Sequence, residues 1–122
     1  MIFYKEDEAV LIREWLKSVS NKAQRKCLLY IAQLEARGHE LRRPIADYLR
    51  DGIYELRPSV QGVHYRMLYF FAGRQIAVLS HGITKEGAIP DVEIKRAIAR
   101  KKRFEARPEA HAYRPGSKGV TS

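Results

Sequence analysis

Two alternating apolar runs, His64–Phe71 and Gln75–Ser80, are separated only by Ala72-Gly73-Arg74. A link this short, with glycine inside it, closes a β-hairpin and commits the middle of the chain to an antiparallel sheet. A third strand-like run, Ile53–Arg57, comes just before. Side chains alternate along a strand. Tyr65, Met67, Tyr69 and Phe71 therefore share one face, and His64, Arg66, Leu68 and Phe70 the other. In the next run Ile76, Val78 and Ser80 oppose Gln75, Ala77, Leu79 and His81. Neither face is wholly polar, yet Arg66 is built into the sheet and Arg57 ends the run before it. Burying an unpaired guanidinium costs several kcal/mol. Arg66 must either pair with a carboxylate, Glu55 and Asp51 being the nearest acids in sequence, or open onto a groove that receives an anion.

The flanks read as helices. After a short opening strand (MIFY), Ala9, Leu11, Ile12, Trp15 and Leu16 recur at helical spacing from Glu6 onward. Ser18–Asn21 breaks that helix with good N-cap residues. A second helix follows with Cys27, Leu28, Ile31, Leu34 and Ala36 as its buried stripe, and stops at Arg37-Gly38. Two helices joined so tightly predict an antiparallel hairpin. Residues 39–52 read as irregular, punctuated by Pro44 and Asp51-Gly52. A last helix opens at Pro90, with Asp91 and Glu93 in its first turn and Val92, Ile94, Ala97 and Ile98 on its apolar side. Its second half, KRAIARKKR, carries six basic residues and no acid. From Glu105 the chain loses periodicity and reads as a mobile tail. The expectation is a folded domain over 1–104 with a tail over 105–122. Its class is α+β, in two layers: an N-terminal helical hairpin on one face of a small antiparallel sheet, the other face partly free, then a basic C-terminal helix.

The chain has 122 residues, enough for one domain with a core that needs no disulfide or structural metal. Its single cysteine, Cys27, offers neither a disulfide framework nor a metal cluster. It reads as a small buried apolar residue in a reducing compartment. No apolar run approaches the roughly 18 residues that cross a membrane, and the N-terminus turns acidic at once, unlike a signal peptide. Both point to the cytoplasm. The formal charge of +9 favours a polyanionic partner. The basic helix carries only small and aliphatic residues on its apolar side, unlike a membrane-surface helix, which ranks nucleic acid first.

LRDGIYELR, YRMLYFF, IAVLSHGITKE and PDVEIKRAIAR, in this order, resemble the HigB-like, phage-derived branch of the RelE/ParE toxin superfamily. The carrying positions are Leu49, Gly52, Ile53, Tyr54, Glu55, Leu56 and Arg57, then Tyr65-Arg66, then Gly82 and Lys85, over about residues 5–105. The resemblance implies a toxin held inactive by a cognate helix-turn-helix antitoxin. HigB- and RelE-like members cut mRNA in the ribosomal A site, whereas ParE-like members poison gyrase, and a shared fold does not choose between them. A gyrase inhibitor without nuclease activity and a non-catalytic nucleic-acid-binding relative remain the alternatives.

Metal-independent RNA cleavage uses the ribose 2′-OH as nucleophile on the adjacent phosphate. It needs a base, positive charge for the phosphorane and an acid for the leaving oxygen. Arg57, Arg66 and Lys85 match family positions tied to substrate binding or catalysis, and a guanidinium fork suits phosphate. His81, His64 and Tyr65 are candidates for proton transfer, with His81 favoured and Glu86 a further possible base. Tyr65 and Tyr54 are also candidate stacking residues. Lys95, Arg96, Arg100, Lys101, Lys102 and Arg103 would grip rRNA or mRNA phosphates or an acidic antitoxin segment. Asp47, Asp51, Glu55 and Glu86 lack metal-ligand spacing, so neither metal nor small-molecule cofactor is expected. Tyr113 falls in the expected tail and takes no role.

Overall fold

The computed structural model describes residues 1–115. In chain order the elements are β1 (Ile2–Glu6), β2 (Ala9–Val10), α1 (Leu11–Ser18), α2 (Asn21–Arg37), β3 (Ala46–Arg50), β4 (Ile53–Leu56), β5 (Ser59–Val60), β6 (Val63–Ala72), β7 (Ile76–Thr84), α3 (Asp91–Ala106) and β8 (Ala112–Tyr113). One eight-stranded sheet runs in the order β2-β1-β7-β6-β4-β3, with β5 beside β6 and β8 beside β1. The β6–β7 hairpin is its centre, pairing from Tyr65↔Thr84 to Ala72↔Ile76.

This overturns the expected two-layer α+β domain, an N-terminal helical hairpin on a small antiparallel sheet. The sheet is mixed, because β1 lies parallel to β7 (Ile2↔Val78, Phe3↔Leu79). Ile2, Phe3 and Tyr4 are buried, so the opening residues form an inner strand of the sheet. The opening strand expected at MIFY is β1, but the segment read as the first turn of a helix, from Glu6 to Val10, is the end of β1, a turn and β2; α1 begins only at Leu11 and packs on β7 and β1 more than on α2. Both faces of the sheet are covered. Ile12, Leu16, Cys27, Ile31 and Leu34 from α1 and α2 meet Phe3, Met67, Tyr69 and Leu79. On the other face Ile94, Ala97 and Phe104 of α3 meet Tyr4, Ile53, Leu68, Phe70 and Val78.

The segment expected to be irregular holds β3, and Asp51-Gly52 is the turn of a β3–β4 hairpin. Both turn residues have positive φ, 52° and 80°, the conformation that an Asp-Gly pair adopts readily in a two-residue hairpin. The α2 stripe is Ala23, Cys27, Ile31 and Leu34, while Leu28 is 47 % exposed, one position off that stripe. Burial pushes the Cys27 thiol up to about 11, leaving it an unreactive core side chain.

Part of the segment expected as a tail is folded. α3 continues to Ala106, Pro108–Ala110 form a 3₁₀ turn, and β8 returns antiparallel to β1 (Phe3↔Tyr113, Tyr4↔Ala112). Tyr113 stacks on Phe3, and its hydroxyl accepts from Arg13 at 3.0 Å. The remainder of the expected tail lies outside the described residues. Among those residues no helix is long and apolar enough to cross a membrane.

Candidate active site

On the α3 face, β3, β4, β6 and the loop after β7 enclose an open cleft of about 640 Å³. Alternation along β4 puts Ile53, Glu55 and Arg57 on this face, and alternation along β6 adds His64 and Arg66. Glu55 pairs with Leu68 across the strands, so Arg66 is its diagonal neighbour. Arg43 and Asp47 come from the β3 side, and Gly87 from the loop.

The arginines and Glu55 converge at the cleft floor. Arg66 Nε lies 3.6 Å from Glu55 Oε1, with both side chains less than 10 % exposed. Neither of these two buried atoms has a hydrogen-bond partner among the described residues. Arg66 Nη2 donates to the Gly87 carbonyl at 3.3 Å. Arg57 Nη1 is 3.8 Å from both Glu55 Oε2 and Asp47 Oδ2. Asp47 Oδ2 accepts from Arg43 Nε at 2.9 Å. Burial raises the Glu55 pKa above the ordinary carboxylate value, and the pull of Arg66 and Arg57 only partly offsets it. The floor is thus a carboxylate of raised basicity between two cations held near, but not on, ideal hydrogen-bond geometry.

His64 is half-buried and lines the cleft. Its carbonyl accepts the Lys85 backbone N–H at 3.1 Å, which holds Lys85 at the rim. The Lys85 side chain is exposed and makes no ion pair among the described residues.

His81 is elsewhere. A register shift at Leu68/Tyr69 leaves Ser80 as an extra residue in β7. The bulge breaks the alternation and turns His81 under α3. There its Nδ1 lies 2.8 Å from Ser80 Oγ and accepts from Arg100 at 2.9 Å, and its Nε2 lies 3.1 Å from Glu93 Oε1. With Arg100 donating to Nδ1, the ring proton sits on Nε2 and points at Glu93. Burial and the Arg100 charge push the His81 pKa down to about 4. His81 therefore joins β7 to α3 as a neutral imidazole outside the cleft.

Two other candidates belong to the opposite face. Tyr65 is buried edge-on against Trp15, with ring centroids 6.2 Å apart, and Tyr54 stacks on Tyr69 at 5.3 Å. The basic helix is also more neutralised than its run suggests. Lys95 pairs with Asp91, Arg96 with Glu93, Lys101 with Glu105 and Arg103 with Glu6. Arg100 is half-buried against Ser80 and His81, which leaves Lys102 as the exposed, unpaired cation of the six among the described residues. The acids lie in the first turn, at the C-terminal end and in β1, outside the basic run itself.

Sequence reasoning placed Arg57 and Arg66 but treated Glu55 as at most a structural partner. The available signal was the Glu-x-Arg spacing of Glu55 and Arg57, which puts both on one strand face. Among the described residues no three His, Cys, Asp or Glu side chains gather so as to hold a metal ion.

No curated protein matches the chain. The family described as phage derived protein Gp49-like matches residues 14–102, which run from within α1 to most of α3 and take in every residue at the cleft floor. The chain belongs to this phage-derived Gp49-like family, a toxin-like family of toxin–antitoxin systems, and that membership implies an antitoxin partner.

Proposed function

We propose that this protein is a HigB-like toxin of the RelE/ParE superfamily that cuts mRNA in the ribosomal A site, and so works in the cytoplasm. The observation that carries this reading is the Glu55–Arg66 pair, whose facing atoms are buried, 3.6 Å apart and without hydrogen bonds. A purely structural pair would close that gap. An incoming phosphate can take the Arg66 Nε–H, and a ribose hydroxyl can donate to Glu55 Oε1.

In this scheme Arg57 and Arg66 grip the scissile phosphate. Glu55, made more basic by burial, takes the proton of the 2′-OH. O2′ bonds to phosphorus as the phosphorus–O5′ bond breaks, and His64 gives a proton to O5′. The products are a 2′,3′-cyclic phosphate and a 5′-hydroxyl. Lys85 adds positive charge at the rim. His81, with Arg100 and Glu93, is a positioning residue that docks α3 on β7 and so fixes the loop whose Gly87 carbonyl holds Arg66. Lys102 and its paired neighbours on α3 supply a surface for ribosomal RNA.

The test is primer extension on a reporter mRNA in a reconstituted translation reaction, with and without ribosomes. Wild type should cut at defined codon positions only when ribosomes are present. Glu55→Gln should lose cutting by roughly 10²–10⁴-fold, and Arg66→Ala by at least roughly 10²-fold. The wild-type rate should fall on acidification as Glu55 takes up its proton, a limb absent from the Glu55→Gln residual rate. Intact mRNA with wild-type protein would overturn the proposal and make gyrase the next target.

A further inference from the structure

A second cleft, about 630 Å³ in volume, lies against the other side of the edge strand β3. The two clefts share Arg43, Asp47 and Tyr48. Leu49 belongs to the α3-side core and Ala46 to the α2-side core, so the clefts sit on opposite faces of the sheet and meet around its edge.

Tyr48 dominates the second cleft. It is 53 % exposed, yet it is fixed. Its hydroxyl accepts the Gly52 backbone N–H at 3.1 Å, and its ring stands edge-on to Tyr54 at 5.0 Å and 67°. Tyr54 stacks in turn on the buried Tyr69, which anchors the row in the core. A tyrosine whose polar end is bonded back to its own hairpin presents an apolar ring to water. Held this way it loses little conformational freedom when something flat covers it. Arg42 and Arg43 line the same cleft, Arg43 paired there with Asp47. An aromatic plane beside cations, along the path of a phosphodiester chain, is the arrangement that binds single-stranded nucleic acid by stacking.

We propose that Tyr48 and this cleft form a nucleobase subsite, taking the base of a nucleotide next to the phosphate held by Arg57 and Arg66. The inference rests on the reading of the arginine cleft as an RNA phosphate site. One strand, about 5 Å wide, separates the two clefts, so a single RNA chain bending around β3 reaches both. The stack ranks bases by stacking strength, with no hydrogen-bonded readout from Tyr48 itself.

The experiment uses a short single-stranded RNA with a 2′-deoxy, uncleavable linkage and 2-aminopurine on one side of it. Fluorescence quenching and anisotropy are titrated with the full-length protein and with Tyr48→Ala, Tyr48→Phe and Arg57→Ala, each checked for folding by circular dichroism. Quenching by wild type, about tenfold weaker binding with loss of quenching in Tyr48→Ala, and retained quenching in Tyr48→Phe are expected. Binding that depends on Arg57 but is unchanged in affinity and quenching by Tyr48→Ala overturns the base subsite and leaves the phosphate site standing. Binding insensitive to both positions, or none at all, overturns both.

Discussion

Glu55 Oε1 and Arg66 Nε face each other at 3.6 Å between β4 and β6, and neither atom is hydrogen-bonded among the described residues. Desolvating both charges is costly, and a geometry that stops short of contact recovers only part of that cost. The pair therefore weakens the fold where it prepares the site.

The stability consequence is testable with a double replacement. Glu55→Leu together with Arg66→Met should be neutral or stabilising, by up to about 4 kcal/mol, because it removes two buried charges at similar volume. Glu55→Leu alone should cost about 3 kcal/mol, since it leaves Arg66 buried without its carboxylate. Urea unfolding of the three proteins measures both. A double variant no more stable than Glu55→Leu alone would show that the charges hold the sheet together.

His81 and Glu55 should leave opposite marks on the pH dependence of stability. His81 titrates near 4 in the fold, against 6.5 for a free histidine. Between those values the unfolded chain holds a proton that the folded chain does not, so stability falls as pH drops from 6.5 to 4, by up to about 3 kcal/mol. Glu55 has its pKa raised above 4.5, so its contribution is lost as pH rises through the raised value. Urea midpoints from pH 4 to 7 should show a flatter acid limb for His81→Gln and a steeper one for Glu55→Gln. An unchanged limb in His81→Gln would remove His81 as the source.

Trp15 covers Gly82 so closely that a β-carbon there would lie 2.2 Å from the indole. Gly82→Ala should destabilise by about 3 kcal/mol, the upper range for overpacking. Trp15→Leu added to it should recover part of that loss. Thermal melts of the single and double variants decide; additive losses would mean the two side chains do not compete for the same space.

Lys102 projects from α3 without an ion pair among the described residues, whereas Lys101 is tied to Glu105 at 3.3 Å. If α3 contacts RNA phosphates, Lys102→Ala should lower the log–log salt slope of RNA binding by about 0.7–0.9, and Lys101→Ala by less. Filter binding across a salt series gives both slopes. Equal slopes for wild type and Lys102→Ala would take this part of the helix off the contact surface.

The β6–β7 hairpin, the helix after Pro90 and the shared face of His64 and Arg66 were legible because each depends on a local pattern: alternation, a turn glycine, a capping residue. Misread elements depended on partners distant in sequence. The opening strand at MIFY was expected, but not its parallel place beside β7, which is set by burial of Ile2, Phe3 and Tyr4 between two helical layers. β8 is two residues long and exists because β1 has an open side. The Asp51-Gly52 pair was visible, but only the pairing of β3 with β4 distinguishes a hairpin turn from a break.

For the site, the chain's own pattern determined which cations share a strand face, since alternation follows from backbone geometry alone. Tertiary structure decided their surroundings. One bulge at Ser80, silent in the sequence, moved His81 from the face of Ala77 and Leu79 to the α3 face, where it sits under α3 and outside the cleft. Glu6 of β1 came to pair with Arg103, a partner distant in sequence, whereas Asp91, Glu93 and Glu105 pair with Lys95, Arg96 and Lys101 one turn away along α3 itself. Packing above β4 buried Glu55 and made an ordinary carboxylate a strong base candidate, because desolvation is a property of what covers a side chain, and that is written in no single stretch of residues.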